Sequence, residues 1–237
     1  MGKRSRPTEP STVIKVKKTA TSAASLADVD KYLKRFRERN ERNGTNERGG
    51  GSQTITDGEI MDGLRRVVAS RDMKDACTKL RTFLIAYGVS RTFKGLSADN
   101  VLILKPIVQS IRTMKVNTTS DIDMIAQVET LADVCQEAKF GRNMSFATKC
   151  LNMLGGHVPI YSSEAVAYLR VTKTVPVNYR AFHHAWMAEY EARRAAYEGA
   201  AAERLGEDEM RRGLDAKWVG MRGLDVRMMD VGGPMRK

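Results

Sequence analysis

Met73-Lys74-Asp75-Ala76-Cys77-Thr78-Lys79-Leu80-Arg81-Thr82-Phe83-Leu84-Ile85-Ala86-Tyr87-Gly88 decides the fold class. Ala76, Cys77, Leu80, Phe83, Leu84 and Tyr87 recur at three- and four-residue intervals, which puts them on one stripe of an α-helix. Gly88 stops it, because a residue without Cβ enters the left-handed region at little cost. The same period continues on both sides. Upstream, Thr56 or Asp57 can cap a helix with Ile60, Leu64, Val67 and Val68 inward. Downstream, Ser97 or Asp99 opens a stretch from Val101 to Met114, in which Pro106 is a first-turn residue or a kink. Ser120 caps Asp121 to Lys139, with Ile122, Ile125, Val128, Leu131, Val134 and Cys135 inward. Ser145 to Leu154 is closed by Gly155-Gly156, and Ser163 to Arg170 follows. One long amphipathic helix is expected from Asn178 to Leu205, with Phe182, Trp186, Tyr190 and Tyr197 near one face. The best strand candidate, Lys173-Thr174-Val175-Pro176-Val177, is weakened by Pro176.

The fold class expected is therefore all-α: a single globular helical domain over 56–206, flanked by two segments of other character. Residues 1–55 read as a basic, largely disordered arm, rich in Ser, Thr, Gly and Asn, which cannot bury enough apolar surface to offset its ordering entropy. Within it a short helix near 25–39 is expected, with Ser25 as cap and Leu26, Val29, Leu33 and Phe36 at helical spacing. Residues 207–237 read as a basic, partly ordered tail carrying a repeat: Arg212-Gly213-Leu214-Asp215 recurs as Arg222-Gly223-Leu224-Asp225. Two copies are too few for a solenoid.

The chain carries 40 Lys and Arg against 28 Asp and Glu, a formal charge of +12. Residues 1–50 hold 13 of those cations and 6 of the carboxylates, so more than half of the excess lies in this one segment. A balance of this kind attracts polyanions. Thirteen methionines against 6% aromatics suit helix packing, since Met fills irregular gaps. Cys77, Cys135 and Cys150 are odd in number and far apart, which supports neither a zinc site nor a disulfide framework. No stretch approaches the ~18 apolar residues of a membrane span, and the first residues lack the apolar run of a secretory signal. The expectation is an intracellular protein, cytoplasmic or nuclear, or one packaged in a virion.

Few motifs carry chemistry. Gly155-Gly156 lacks the Lys-Ser/Thr that a P-loop requires, and no Gly-x-Ser-x-Gly elbow occurs. His183 and His184 are neighbours, about 100° apart on a helix, and cannot chelate one metal as an i,i+4 pair does. No metal or cofactor is expected. Ser162-Ser163-Glu164 and Asp121-Ile122-Asp123 both suit helix N-termini. In Phe140-Gly141-Arg142-Asn143-Met144-Ser145-Phe146-Ala147-Thr148-Lys149, Arg142 and Lys149 bracket a helix start where amides and cations could meet a phosphate.

This region also resembles a known group. Ser145-Phe146-Ala147-Thr148-Lys149-Cys150-Leu151, then Pro159-Ile160-Tyr161-Ser162-Ser163, Val166, Tyr179 and Phe182, is similar to bacterial and phage proteins carrying an S-F-A-S/T-K helix followed by P-I-Y-D-S. Those proteins are distantly similar to the helix-hairpin-helix DNA glycosylase superfamily, over about residues 120–190. The resemblance implies that Lys149 matches a nucleophilic lysine, whereas the assisting aspartate falls on Ser162. Gly141-Arg142-Asn143-Met144 is a poor version of the DNA-gripping hairpin. If the fold is shared, the resemblance implies that the chemistry is lost.

The function expected is a non-enzymatic nucleic-acid-binding protein, for DNA or RNA, arranged like a nucleocapsid or coat protein with a basic arm ahead of a helical core. Its phosphate contacts are expected at Lys3, Arg4, Arg6, Lys15, Lys17, Lys18, Lys34, Arg35, Arg37, Arg39, Arg142 and Lys149. Homo-oligomer contacts are the other partner expectation. Two alternatives remain open: a base-processing enzyme centred on Lys149, and a nuclear interaction module. In the latter, Lys15-Val16-Lys17-Lys18 would be a localisation signal and the charged 187–212 helix would bind a partner.

Overall fold

Thr56 opens a helix through a reciprocal cap. Its hydroxyl accepts the Glu59 amide hydrogen at 3.0 Å, and its own amide donates to the Glu59 carboxylate at 2.7 Å. The computed structural model describes residues 12–38, 56–115, 120–171 and 178–233, with side chains described from 23 onward in the first segment and through 170 in the third. Among the described residues there is no strand, and the all-α expectation holds. The helices are α1 (Thr12–Arg37), α2 (Asp57–Ala69), α3 (Met73–Ala86), α4 (Lys105–Thr113), α5 (Asp121–Glu137), α6 (Met144–Met153), α7 (Ser163–Val171), α8 (Tyr179–Glu191), α9 (Arg194–Arg204), α10 (Glu207–Arg211) and α11 (Ala216–Gly232). Turns of 3₁₀ helix lie at Ser90–Thr92 and Val101–Leu104, and Pro106 sits in the first turn of α4. No helix among the described residues is long and apolar enough to cross a membrane. The segment 173–177 lies outside the described residues.

The stripe that announced α3 is buried throughout, from Ala76 to Tyr87, and Gly88 ends it at φ +69°. On α5 the inward face is Met124, Ile125, Val128, Leu131, Ala132 and Cys135, while Ile122 points out at 73% exposure. The helix expected over 178–205 is two helices. Arg193 leaves helical geometry at φ −123°, so that α8 packs toward α5 and α7 while α9 runs along a central neighbour.

That neighbour is α11, and here the structure departs most from the sequence reading. Residues 207–237 were expected to lie on the domain as a tail. Instead α11 packs against α1, α7 and α9, with Trp218, Val219, Met221, Leu224, Val226 and Met228 all buried. The two Arg-Gly-Leu-Asp copies do different work. In the first, Gly213 turns at φ +78° and the Asp215 carboxylate caps α11 by accepting the Trp218 amide hydrogen at 2.7 Å. In the second, Arg222 and Asp225 form an ion pair inside the helix at 2.5 Å.

The helix expected near 25–39 also belongs to this core. α1 begins at Thr12, and Val29, Tyr32, Leu33 and Phe36 are buried against α9 and α11. Tyr197 of α9 donates to Asp28 at 2.7 Å, and Arg37 reaches Glu209 of α10 at 2.7 Å. The buried side chains of Val29, Leu33 and Phe36 each contribute about 1.5–3 kcal/mol. Their sum rivals the roughly 5–15 kcal/mol by which domains are stable. Residues 29–36 are therefore structural.

Close approach to α11 depends on glycine. A Cβ on Gly223 would stand 3.0 Å from Val29 Cγ2 and 3.1 Å from Tyr197 Cδ1. Gly199, in contrast, has nothing within 4 Å of an added carbon. Gly223→Ala is expected to cost about 1–3 kcal/mol by overpacking, whereas Gly199→Ala gains about 0.5–1 kcal/mol from helix propensity. Urea unfolding midpoints check this; equal effects at both sites would refute the close-approach argument.

His183 on α8 is fully buried, stacked edge-on with Tyr179, and neither ring nitrogen has a partner among the described residues. Burial pulls its pKa below 6.5, with Asp121 pulling the other way. The unfolded chain thus binds the proton more readily than the folded one. Stability present above pH ~6.5 falls as the pH drops from there toward the folded value. His183→Leu should flatten this part of an acid-unfolding curve, measured by circular dichroism; an unchanged curve would exclude His183 as the group responsible.

Candidate functional site

Three short helical patterns converge on one cleft. On α11, Arg222, Asp225 and Met229 stand at i, i+3 and i+7 and share a face. On α6, Ser145 and Lys149 are an i,i+4 pair, and α7 contributes Glu164 from its first turn and Arg170 from its last. The left-handed turn at Gly88 carries the chain from Tyr87 to Arg91. These groups line two adjoining cavities of about 480 and 890 Å³ that share Lys149, Ser162 and Glu164. The smaller is lined by Arg35, Asp57, Tyr87, Ile160, Arg222, Asp225 and Met229 as well. The larger adds Gly88, Arg91, Ser145, Tyr161, Ser163, Val166, Ala167 and Arg170.

Exposure and charge change together along the cleft. Arg91, Ser163 and Arg170 are exposed at the outer end, while Asp57, Tyr87, Arg222 and Asp225 are buried at the floor. The Lys149 ammonium lies 5.2 Å from the centroid of the Tyr87 ring, and the Arg222 guanidinium lies 5.0 Å from that of Tyr32. Arg222 stays protonated: burial works against its charge, but Tyr87, Asp225, Tyr32 and Asp57 outweigh it. Burial pushes the Asp225 carboxyl above the usual carboxylate range, against the pull of Arg222 and Lys149. Asp225 Oδ1 and Arg222 Nε find no hydrogen-bond partner among the described residues.

Of the residues expected to contact phosphate, the structure brings Arg35 and Lys149 together in this cleft. It separates the others. Arg142 donates to Asp133 of α5 at 2.6 Å, and Asn143 caps α6 by accepting the Phe146 amide hydrogen. Arg142 and Lys149 therefore do not close on one phosphate. Lys34 faces Glu38 at 3.7 Å, and Arg37 is held by Glu209 and the Arg204 carbonyl. Lys3, Arg4, Arg6 and Arg39 lie outside the described residues, as do the side chains of Lys15, Lys17 and Lys18. Arg91, Arg170, Asp57, Tyr87, Arg222 and Asp225 escaped the sequence reading. The only local signal was the Arg-x-x-Asp spacing within the repeat.

Lys149 was expected to lack an acid because Ser162 occupies the position the resemblance assigns to aspartate. Ser162 caps α7 by accepting the Ala165 amide hydrogen at 3.1 Å, but Glu164 and Asp225 share the smaller cavity with Lys149. These carboxylates belong to α7 and α11, whereas Lys149 belongs to α6. The cysteines take no part: all three are buried, and burial pushes the Cys135 thiol up to about 12. No protein-family model, curated protein or solved structure matches the chain.

Removing one member of the Arg222–Asp225 pair leaves a buried charge uncompensated. Arg222→Met is expected to cost about 3–5 kcal/mol, while Arg222→Met with Asp225→Leu recovers most of it. Chemical denaturation of the wild type, Arg222→Met, Asp225→Leu and the double variant decides this. Additive losses would mean that the pair does not interact.

Proposed function

We propose that the protein binds nucleic acid through this cleft, without catalysing a reaction on it. The observation that supports the reading is the convergence of Arg35, Arg91, Lys149 and Arg170, from four separate segments, on one concave surface. Cations dispersed over a surface merely raise the net charge. Cations gathered in a cleft focus the field and give a phosphate several donors at once. The formal charge of +12 and the cations ahead of α1 add attraction without sequence preference, since phosphate contacts position a strand and base contacts specify it.

Each phosphate neutralised releases counterions, and affinity then falls with salt at a slope near 0.9 per contact on duplex DNA. Four cleft cations alone predict a log–log slope of about −3 to −4. Lys149→Ala should reduce the slope by about one. Fluorescence anisotropy against DNA and RNA oligonucleotides across a salt series measures both. An affinity indifferent to salt would overturn the reading, as would no binding to either nucleic acid.

A second reading, the base-processing enzyme, is favoured by one specific observation: Glu164 and Asp225 lie in the cavity that holds Lys149. In that reading the Lys149 amine attacks the sugar C1′, the glycosidic bond breaks and the base leaves with a proton from a carboxyl group. The attacking nitrogen then gives up a proton that the ring oxygen O4′ takes as the C1′–O4′ bond opens, and the resulting protonated imine is reducible by borohydride. The same oligonucleotides, carrying abasic or damaged sites, separate the two readings. A borohydride-trapped adduct that Lys149→Ala fails to form establishes the enzyme, and binding without an adduct supports the first reading.

A further inference from the structure

Resting on the nucleic-acid reading, we infer that the cleft receives the end of a strand, and that what it recognises there is a terminal phosphate monoester. The inference comes from how charge is divided along the cleft. At the outer cavity, Arg91, Lys149 and Arg170 face one carboxylate, Glu164, leaving a formal excess of two positive charges. At the floor, Arg35 and Arg222 face Asp57 and Asp225, and the charges balance. One strongly anionic group is therefore accommodated, and it belongs at the outer end.

A phosphodiester carries a single negative charge. A phosphate monoester carries about −1.5 to −2 at neutral pH, with a second pKa near 6, and three strong acceptor oxygens. The outer cavity suits the monoester in both respects. It offers an excess of two charges, and the hydroxyls of Ser145 and Ser163 lie on its wall beside the cations.

The floor argues against a strand running through. It is lined by Asp57, Tyr87, Arg222 and Asp225, whose relative exposures are 2%, 8%, 7% and 3%, with Arg35 and Met229 toward the solvent. A second phosphate pushed inward would meet two carboxylates in a site with no excess positive charge. The neutral part of a terminal nucleotide meets no such penalty. It can place a hydrogen-bond donor toward the Asp225 carboxylate, which lines the smaller cavity.

The test compares three single-stranded oligonucleotides of one sequence, carrying a 5′-phosphate, a 3′-phosphate or neither, bound to the full chain at moderate salt. One phosphorylated end is expected to bind about tenfold or more tighter than the unphosphorylated strand. That preference should shrink as the pH is lowered through ~6, where the monoester takes up its second proton. The double variant Arg91→Gln/Arg170→Gln removes two exposed side chains. It should reduce the preference to less than about twofold and weaken the unphosphorylated strand as well, while an unchanged circular-dichroism spectrum and urea midpoint show that the variant folds. Equal affinity for all three strands would overturn strand-end recognition and leave the nucleic-acid reading standing. No binding to any strand would overturn both. Displacement by a nucleoside monophosphate or inorganic phosphate, at concentrations matching the phosphorylated strand, would also overturn strand-end recognition in favour of a small phosphorylated ligand.

Discussion

The burial of α11 governs the rest of the structure. A helix enclosed on most sides must satisfy every polar side chain internally and present small residues wherever a neighbour comes close. Here Gly220 lies against Tyr190 and Tyr197, Gly223 against Val29 and Tyr197, and Gly232 against the Glu164 carbonyl. Those three contacts fix α9, α1 and the start of α7 about a common axis. The Tyr190 hydroxyl then reaches the Lys217 carbonyl at 3.2 Å, and the Trp218 indole nitrogen donates to the Asn152 carbonyl at 3.1 Å. The second of these bonds ties α11 to the end of α6, and so to the other half of the fold.

The helices associate in two groups. α1, α7, α9 and α11 pack mainly on one another, while α2 to α6 form the second set, with narrower contacts between them. The cleft lies on the seam. Arg35, Glu164, Arg170, Arg222 and Asp225 come from the first group, and Asp57, Tyr87, Arg91, Ser145 and Lys149 come from the second. Junctions of this kind are where ligand sites usually form, since two packed bodies leave a concavity that neither fills alone.

This arrangement also explains what could be read in the sequence. Helices with one solvent face announced themselves: α3 by its stripe and Gly88, α2 by Thr56 or Asp57 ahead of its apolar spacing, α5 by Ser120. α11 gave no such signal because it has hardly any outward face, so its apolar residues show no stripe and its glycines resemble a flexible tail. The break between α8 and α9 has no breaker residue at Ala192-Arg193; it separates a helix that packs on α5 and α7 from one that packs on α1 and α11. At the site, Lys149 and Arg35 were legible as cations within helices. Arg91, Arg170 and Asp225 were not, because each is ordinary in its own segment and acquires meaning only across the seam.

The Arg222–Asp225 pair bears on what the seam is for. Burying two opposite charges gives little net stability, and well-packed apolar residues of similar volume serve as well or better. Packing alone therefore does not call for an ion pair at this position, least of all one with a carboxylate oxygen and a guanidinium nitrogen left without partners among the described residues. A charged floor beneath a cleft does something packing cannot. It holds the field at neutrality deep in the cavity while Arg91, Lys149 and Arg170 keep the outer end positive. Under the proposed function, such a division would orient an anionic ligand with its charge outward and its hydrogen-bond donors inward. That orientation would separate a strand end from a passing backbone, and the cost of burying the pair would sustain it.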